Sequence, residues 1–287
     1  MPAQILDGKK LALQLREQLK QEVVQLKQKT SSVLSLVGIM VGEDPSACSY
    51  TNSQKKVAQD IGISYELKVL PLKISQQELI SFISDLNQDK KVHGIMLHKP
   101  LPKHIDYRQV SDGILPLKDV EGMNISNLGK MMLNEMQLVP CTPAAVMEHL
   151  KALKVLLRGK EVVIIGRSEI VGKPLALLML KESATVTICH TGTQDAGKLV
   201  EHVNRADIVV AAVGRAGFVK GEWLKSGAIV IDVGINQVEN KIVGDVDFES
   251  AQEKASFITP VPGGVGPVTV VMLMKNAIES FKAQNNF

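Results

Sequence analysis

The stretch Glu161-Val-Val-Ile-Ile-Gly-Arg-Ser-Glu-Ile-Val-Gly-Lys-Pro174 decides how the chain is read. Its β-branched run, Val162 to Ile165, has the unbroken apolar character of a strand buried on both faces of a parallel sheet. Gly166 ends the strand, and a short polar turn leads through Gly172 into the helical run Leu175 to Leu180. In a strand–turn–helix of this kind, backbone N–H groups at the helix N-terminus can hold a phosphate. The spacing Gly166-x-x-x-x-x-Gly172 carries Ser168 where the dinucleotide fingerprint usually has its second glycine, so a tight βα turn without a ligand also suits it. Arg167 favours the nucleotide, because a guanidinium beside a pyrophosphate turn suits the 2′-phosphate of NADP. The next strand, Ala184 to His190, runs into Thr191, Gly192 and Thr193, with no acidic residue to take a ribose hydroxyl. NADP is expected rather than NAD.

At 287 residues the chain has room for two domains of ordinary size. A formal net charge of +3, with three Tyr, six Phe and one Trp and no basic cluster, argues against stacking platforms for nucleic acid. Cys48, Cys141 and Cys189 are odd in number and lack metal-type spacing, which points to a reducing compartment and no disulfide framework. No apolar run approaches the roughly 20 residues that span a bilayer. The N-terminal residues lack the apolar core of a signal peptide. A soluble, cytoplasmic protein with no membrane, nucleic-acid or metal partner is expected.

The first half alternates helix and strand patterns. Leu11 to Lys27 predicts an amphipathic helix, Val33 to Val41 a buried strand, and Ser46 to Gly62 a second helix after the turn Gly42-Glu-Asp-Pro45. Tyr65 to Leu70 alternates as a strand, Ser75 opens a helix to Asn87 with Glu78 at the capping-box position, and Val92 to His98 is a further strand. In the second half, Thr142 as N-cap and Pro143 at N1 predict a helix to about Leu153. Asp207–Val213 and Ala228–Val233 read as two strands, each followed by glycine. Thr259-Pro-Val-Pro-Gly-Gly-Val-Gly-Pro267 reads as an irregular loop that either admits a ligand to the backbone or serves as a rigid hinge. Thr269 to Phe287 predicts a helix packed back on the first domain. Repeated αβ units imply mostly parallel, doubly wound sheets.

Five segments together resemble the bifunctional methylenetetrahydrofolate dehydrogenase/methenyltetrahydrofolate cyclohydrolase family. They are Gly166–Pro174, Thr259–Pro267, Ile231-Asp-Val-Gly-Ile-Asn236, Pro140-Cys-Thr-Pro143 and Lys118-Asp-Val-Glu-Gly122, in order and at the family's spacing over essentially the whole chain. The resemblance implies two doubly wound α/β domains with a cleft between them. Residues 1–139 with the helix 268–287 would bind folate and carry the chemistry. Residues 140–267 would form a Rossmann-type NADP domain. It also implies oxidation of 5,10-methylenetetrahydrofolate with NADP, hydrolysis of the methenyl product to 10-formyltetrahydrofolate, a homodimer, and a place in the one-carbon metabolism that serves purine biosynthesis. By the same resemblance Gly166, Arg167, Ser168, Thr191 and Ile235 contact the cofactor. Tyr50, Glu121, Pro262, Gly263 and Thr269 contact the folate, and Tyr50, Gln54, His98 and Glu121 occupy the catalytic positions.

Three of those positions depart from the family pattern. Tyr50-Thr-Asn-Ser-Gln54 stands where the family has Tyr-x-x-x-Lys, and an amide cannot serve as an acid or base. Residues four apart share a helix face, whereas Lys55 and Lys56 are turned by about 100° and 200° from position 54. His98-Lys-Pro-Leu-Pro102 replaces Gln-Leu-Pro-Leu-Pro, so the amide and a titratable group have changed places, or the site has lost its constraint. Lys99 is expected on the opposite side of the strand from His98. Glu121 replaces an aspartate that holds the pterin, keeping the charge but shifting it by roughly 1 to 1.5 Å; Asp119 reads as structural, and Val268 replaces a frequent Met. The dehydrogenase step is therefore expected to be more secure than the cyclohydrolase step, with a non-catalytic folate- or NADP-binding paralogue as the rival reading.

Overall fold

The computed structural model describes residues 2–30, 32–239 and 241–287, apart from the side chains of Pro45, Ser46, Ala47 and Ser49. The chain begins with β1 (Gln4–Ile5), α1 (Gly8–Thr30), β2 (Ser35–Val41), α2 (Pro45–Ile61), β3 (Ser64–Leu70), α3 (Gln76–Gln88) and β4 (Gly94–Leu97). Next come α4 (Tyr107–Asp112), α5 (Ile125–Met132), α6 (Cys141–Ala152), β5 (Glu161–Ile165), α7 (Gly172–Lys181), β6 (Thr185–Cys189), α8 (Thr191–Asp195) and α9 (Leu199–Arg205). It ends with β7 (Ile208–Ala211), β8 (Ile229–Asp232), β9 (Asn236–Val238), β10 (Lys241–Val243), α10 (Phe248–Gln252), β11 (Phe257–Ile258) and α11 (Val265–Gln284). The chain divides into two compact units, residues 14–141 with 270–287, and residues 1–13 with 142–269.

In the unit of residues 14–141 and 270–287 the sheet is parallel, in the order β3-β2-β4. Central β2 is apolar and buried on both faces, while edge strand β3 alternates with exposed residues. Beyond β4 the segment around Asp119 continues the sheet through the parallel bridge Ile95–Asp119. Helix α3 carries the expected capping box: Ser75 Oγ accepts from Glu78 N–H, and the Glu78 carboxylate accepts from Ser75 N–H. Its last carbonyls are held by Lys118, whose buried Nζ donates to Leu86 O (3.0 Å), Asn87 O (2.8 Å) and Asp89 O (2.8 Å). The expected return of the C-terminal helix is present. From α11, Asn276 Nδ2 donates to Val120 O and Val139 O at 2.8 Å each, and Ser280 Oγ donates to the carbonyls of His93 and Leu117.

The other unit contains a parallel six-stranded sheet in the order β1-β11-β8-β7-β5-β6, with β9 and β10 as a separate antiparallel hairpin. Its core includes the buried Val163 and Ile165 of the quoted stretch, joined by Val209 and Val230 from the two strands expected after it. Residues 1–13 group here rather than with the first domain, because β1 pairs in parallel with β11 and Gly8 N–H donates to Gly263 O (2.9 Å). Helix α6 starts at Cys141, so Thr142 lies inside it rather than capping it. Likewise α11 starts at Val265, and the last three residues of the expected loop are helical. Both corrections have one cause: the first-turn N–H groups of a helix have no intrahelical acceptor, so Pro143 and Pro267 fit two residues deeper than N1.

Candidate functional site

The turn after β5 owes its shape to close backbone approach. Gly166 has φ +131°, and a Cβ there would lie 2.2 Å from Ala212 O. A Cβ on Gly172 would lie 2.0 Å from Gly166 O, so the second glycine lets α7 begin directly against the strand end. Ser168 Oγ accepts from Val171 N–H (3.1 Å), which gives the residue in the fingerprint's second glycine place a local role. A cavity of about 280 Å³ opens at this end of the sheet, lined by Gly166, Arg167, Ser168, His190, Thr191, Gln194, Ala212, Val213, Arg215 and Phe218, among others. Two guanidinium groups and no carboxylate line it. His190 does not simply end β6. Its Nδ1 accepts from Gly192 N–H (3.1 Å) and its N–H donates to Thr193 Oγ1 (3.2 Å), capping α8.

The far wall of this cavity rests on a buried carboxylate that the sequence reading missed. Asp245, wholly buried, accepts at Oδ2 from Val213 N–H (2.6 Å) and Gly214 N–H (2.9 Å), and at Oδ1 from Arg215 N–H (2.9 Å) and Asn236 Nδ2 (2.8 Å). Three successive N–H groups thus wrap one anion, a nest that Gly214 permits with φ +68°. Beneath it, Asp232 accepts from Gly234, Asp245 and Val246 N–H groups (2.9–3.0 Å). Burial pushes the Asp232 carboxyl up to about 6 against the pull of those bonds. The Arg215 guanidinium lies 4.4 Å from the Phe218 ring centroid.

The second cluster belongs to the unit of residues 14–141 and 270–287. Tyr50 and Gln54 are four residues apart on α2 and share one face of the helix. Tyr50 keeps 41% of its surface open, but its hydroxyl end is desolvated, and this, with the neighbouring Cys141 and Glu121, raises its pKa. Gln54 is 0% exposed and His98, just beyond β4, 3%. The Tyr65 hydroxyl from β3 donates to Gln54 Oε1 (3.2 Å) and lies 3.0 Å from His98 Nε2. Burial pushes the His98 imidazole down to about 4, so it is neutral at pH 7. Lys99 turns away from His98, its Nζ lying 3.5 Å from the Tyr107 ring centroid, and Lys55 and Lys56 are exposed.

Glu121 enters this cluster along the continuation of the sheet, where its Oε2 accepts from Leu97 N–H (3.3 Å). Burial, then the nearby Asp119, pushes its carboxyl up to about 8, although the Leu97 bond and Lys99 pull the other way. Asp119 instead accepts from Asn124 N–H (2.6 Å) and Asn127 Nδ2 (3.1 Å), and so fixes the chain around Glu121. Gly122 has φ +70°, and a Cβ on it would meet the Val139 carbonyl at 2.4 Å.

A family model described as tetrahydrofolate dehydrogenase/cyclohydrolase, catalytic domain, matches residues 6–121, and one for the NAD(P)-binding domain of the same family matches residues 140–285. The chain belongs to the tetrahydrofolate dehydrogenase/cyclohydrolase family. It is 50% identical over 283 residues to the bifunctional protein FolD of Bacillus pumilus, covering 98% of this chain and 99% of that protein. With the protein of the same name from Acetivibrio thermocellus it shares 50% identity over 285 residues, 99% of each. Among solved structures, the bifunctional enzyme FolD of Campylobacter jejuni superposes with a TM-score of 0.94 at 42% identity, covering 99% of this chain and 100% of that one. The Trypanosoma brucei methylenetetrahydrofolate dehydrogenase-cyclohydrolase, complexed with NADP and an inhibitor, gives 0.94 at 37% identity with complete coverage of both chains.

Within this family frame the expected cofactor residues Gly166, Arg167, Ser168 and Thr191 come together around one cavity. Ile235 is not among its lining residues; it is 71% exposed, immediately before the β9–β10 hairpin. Tyr50, Gln54, His98 and Glu121 come together in the other unit. Pro262, Gly263 and Thr269 lie in the unit of residues 1–13 and 142–269. There Gly263 has φ +106°, and a Cβ on Gly8 would lie 1.7 Å from Gly264 O, so part of the glycine-rich loop is explained by packing against the start of α1. Arginine lining, a helix N-terminus and the absence of carboxylates fit the phosphates of NADP. Among the described residues no cluster of His, Cys, Asp or Glu could hold a metal ion, and no helix is long and apolar enough to cross a membrane.

Proposed function

We propose that this chain oxidises 5,10-methylenetetrahydrofolate to 5,10-methenyltetrahydrofolate with NADP, and that the following hydrolysis to 10-formyltetrahydrofolate is weakened or lost. The observation that carries the second half is the Gln54–Tyr65–His98 arrangement: an amide and a neutral imidazole, joined through a phenol, occupy the catalytic positions. Oxidation leaves a nitrogen-stabilised cation and chiefly requires donor and acceptor to be aligned. NADP, when bound, supplies the hydride acceptor. Hydrolysis requires a proton acceptor tuned near the working pH. Gln54 cannot accept a proton in that range, His98, pushed down to about 4, is a weak base, and Glu121, whose carboxyl is pushed up to about 8, is taken up in holding the pterin.

In this reading Arg167, Ser168, Thr191 and Ile235 contact NADP beside the Gly166 turn. Tyr50, Glu121, Pro262, Gly263 and Thr269 contact the folate. Ionised Glu121 would accept from the N–H groups of the pterin. The domain roles follow, with folate chemistry on residues 1–139 and 268–287 and the cofactor on 140–267. The family frame further supports a homodimer in the cytoplasm whose one-carbon products serve purine synthesis.

A paired assay of the two steps on purified protein, with NADP and with NAD, tests the proposal. Oxidation with NADP at an ordinary enzyme rate and slow hydrolysis, raised by Gln54→Lys, is the expected result. Normal hydrolysis, indifferent to changes at both Gln54 and His98, would refute this account of the site. Rapid hydrolysis abolished by His98→Ala would make the imidazole a transplanted base, and no oxidation at all would leave a non-catalytic binding protein.

A further inference from the structure

The Tyr65 hydroxyl occupies a place that exists only because residue 38 has no side chain. A Cβ on Gly38, in the middle of β2, would lie 2.4 Å from Tyr65 Oη and 2.9 Å from His98 Nε2. Tyr65 from β3 and His98 from the end of β4 therefore meet across the bare backbone of the central strand. The same hydroxyl reaches Gln54 Oε1 on α2. That bond fixes which way the amide faces. It leaves Gln54 Nε2 buried without a hydrogen-bond partner, a donor whose desolvation goes uncompensated when nothing accepts from it. A fully buried amide with one end clamped and the other unsatisfied is the arrangement expected of a group kept for a ligand.

We propose that Tyr65 is a positioning residue of this site: it holds the Gln54 amide so that Nε2 offers a neutral hydrogen bond to an acceptor atom of the bound reduced pterin. The inference rests on the folate reading of the site and deepens it. A neutral donor in a fixed direction orients the one-carbon bridge without offering it a proton. Tyr65 itself keeps its own proton, because burial and the nearby Glu121 carboxyl raise its pKa. The residue therefore acts through Gln54 and not on the substrate.

The test is a double-mutant cycle on the full chain, with Tyr65→Phe, Gln54→Ala and both together, following NADP-dependent oxidation. Tyr65→Phe keeps the ring and is expected to lower kcat/KM by about tenfold, the worth of one well-placed hydrogen bond. In the Gln54→Ala background the same change is expected to do less than about twofold, because coupled residues are non-additive. Gly38→Ala, which displaces the hydroxyl by steric contact, should reproduce the Tyr65→Phe loss. Equal effects of Tyr65→Phe in both backgrounds, or none in the parent, would overturn the proposal. An independent readout is NMR of the substrate-free protein, in which Tyr65→Phe should shift the Gln54 side-chain amide and His98 Nε2 resonances together. If the parent oxidises no folate, the function proposed above fails. The clamp is still decided by those resonances, and unchanged signals would overturn it.

Discussion

Replacing Asp245 with asparagine is expected to loosen the cofactor wall while leaving the sheet beneath it in place. The parent carboxylate takes two N–H donors on Oδ2 and an N–H with an amide donor on Oδ1, at 2.6–2.9 Å. Asparagine can satisfy only one of these pairs, since its other end becomes an NH₂ facing two donors. Two hydrogen bonds to a charged acceptor are lost, at about 1.5–3 kcal/mol each. Removing a buried negative charge offsets part of that loss, so a net destabilisation of about 2–4 kcal/mol is expected. Because Val213 and Arg215 line the cavity, part of the effect should appear as weaker cofactor binding. Urea unfolding measures the first quantity and fluorescence titration with NADPH the second. The NADPH dissociation constant should rise at least about tenfold, the equivalent of 1.4 kcal/mol. An Asp245→Asn protein with the parental unfolding midpoint and parental NADPH affinity would refute the argument that this carboxylate holds the loop.

Three further outcomes are expected. Gly172→Ala drives a Cβ to 2.0 Å from Gly166 O, an overpacking that should cost about 1–3 kcal/mol and weaken NADPH binding in the same titration. Lys118→Met removes three bonds to the last carbonyls of α3; urea unfolding should show a loss of about 2–3 kcal/mol, with the KM for folate unchanged. For Glu121, pushed up to about 8 mainly by burial, the sign runs two ways. The protonated form is favoured in the fold, so its contribution to stability is full below about pH 4.5 and is lost as pH rises through 8. Pterin binding needs the ionised form, so the KM for folate should fall over the same rise. Glu121→Gln should flatten both profiles, which denaturant titrations and initial rates from pH 6 to 9 would measure.

The parts of the fold that were legible are those where local pattern and tertiary role coincide. Val162–Ile165 has to be a buried strand, and Ser75 with Glu78 has to start a helix, whatever surrounds them. The helix starts at Cys141 and Val265 were displaced because proline constrains the first turn only to within a few residues. That residues 1–13 group with the six-stranded unit has no local signature, because β1 is two residues long and its partner β11 lies some 250 positions away in the chain. In the candidate sites, Tyr50, Gln54, His98 and Glu121 were found because motif spacing marks them. Tyr65 was not, although its strand was predicted, since its role depends on a glycine 27 positions earlier on a neighbouring strand. Asp245 and Arg215 were missed for the same kind of reason. A carboxylate that binds backbone N–H groups leaves no side-chain pattern for a motif to record.

The two-residue strand β1 has a consequence for how this protein is handled. It lies along the outer side of β11, and β11 offers only Phe257 and Ile258 for pairing. Removing the first six residues would uncover that short apolar edge and leave the Ser256 and Ile258 carbonyls without the Gln4 and Leu6 N–H groups that now donate to them. Open edges of this kind pair with other chains. N-terminal trimming or a translation start downstream of Leu6 should therefore show itself first as self-association at high protein concentration, before any change in cofactor affinity.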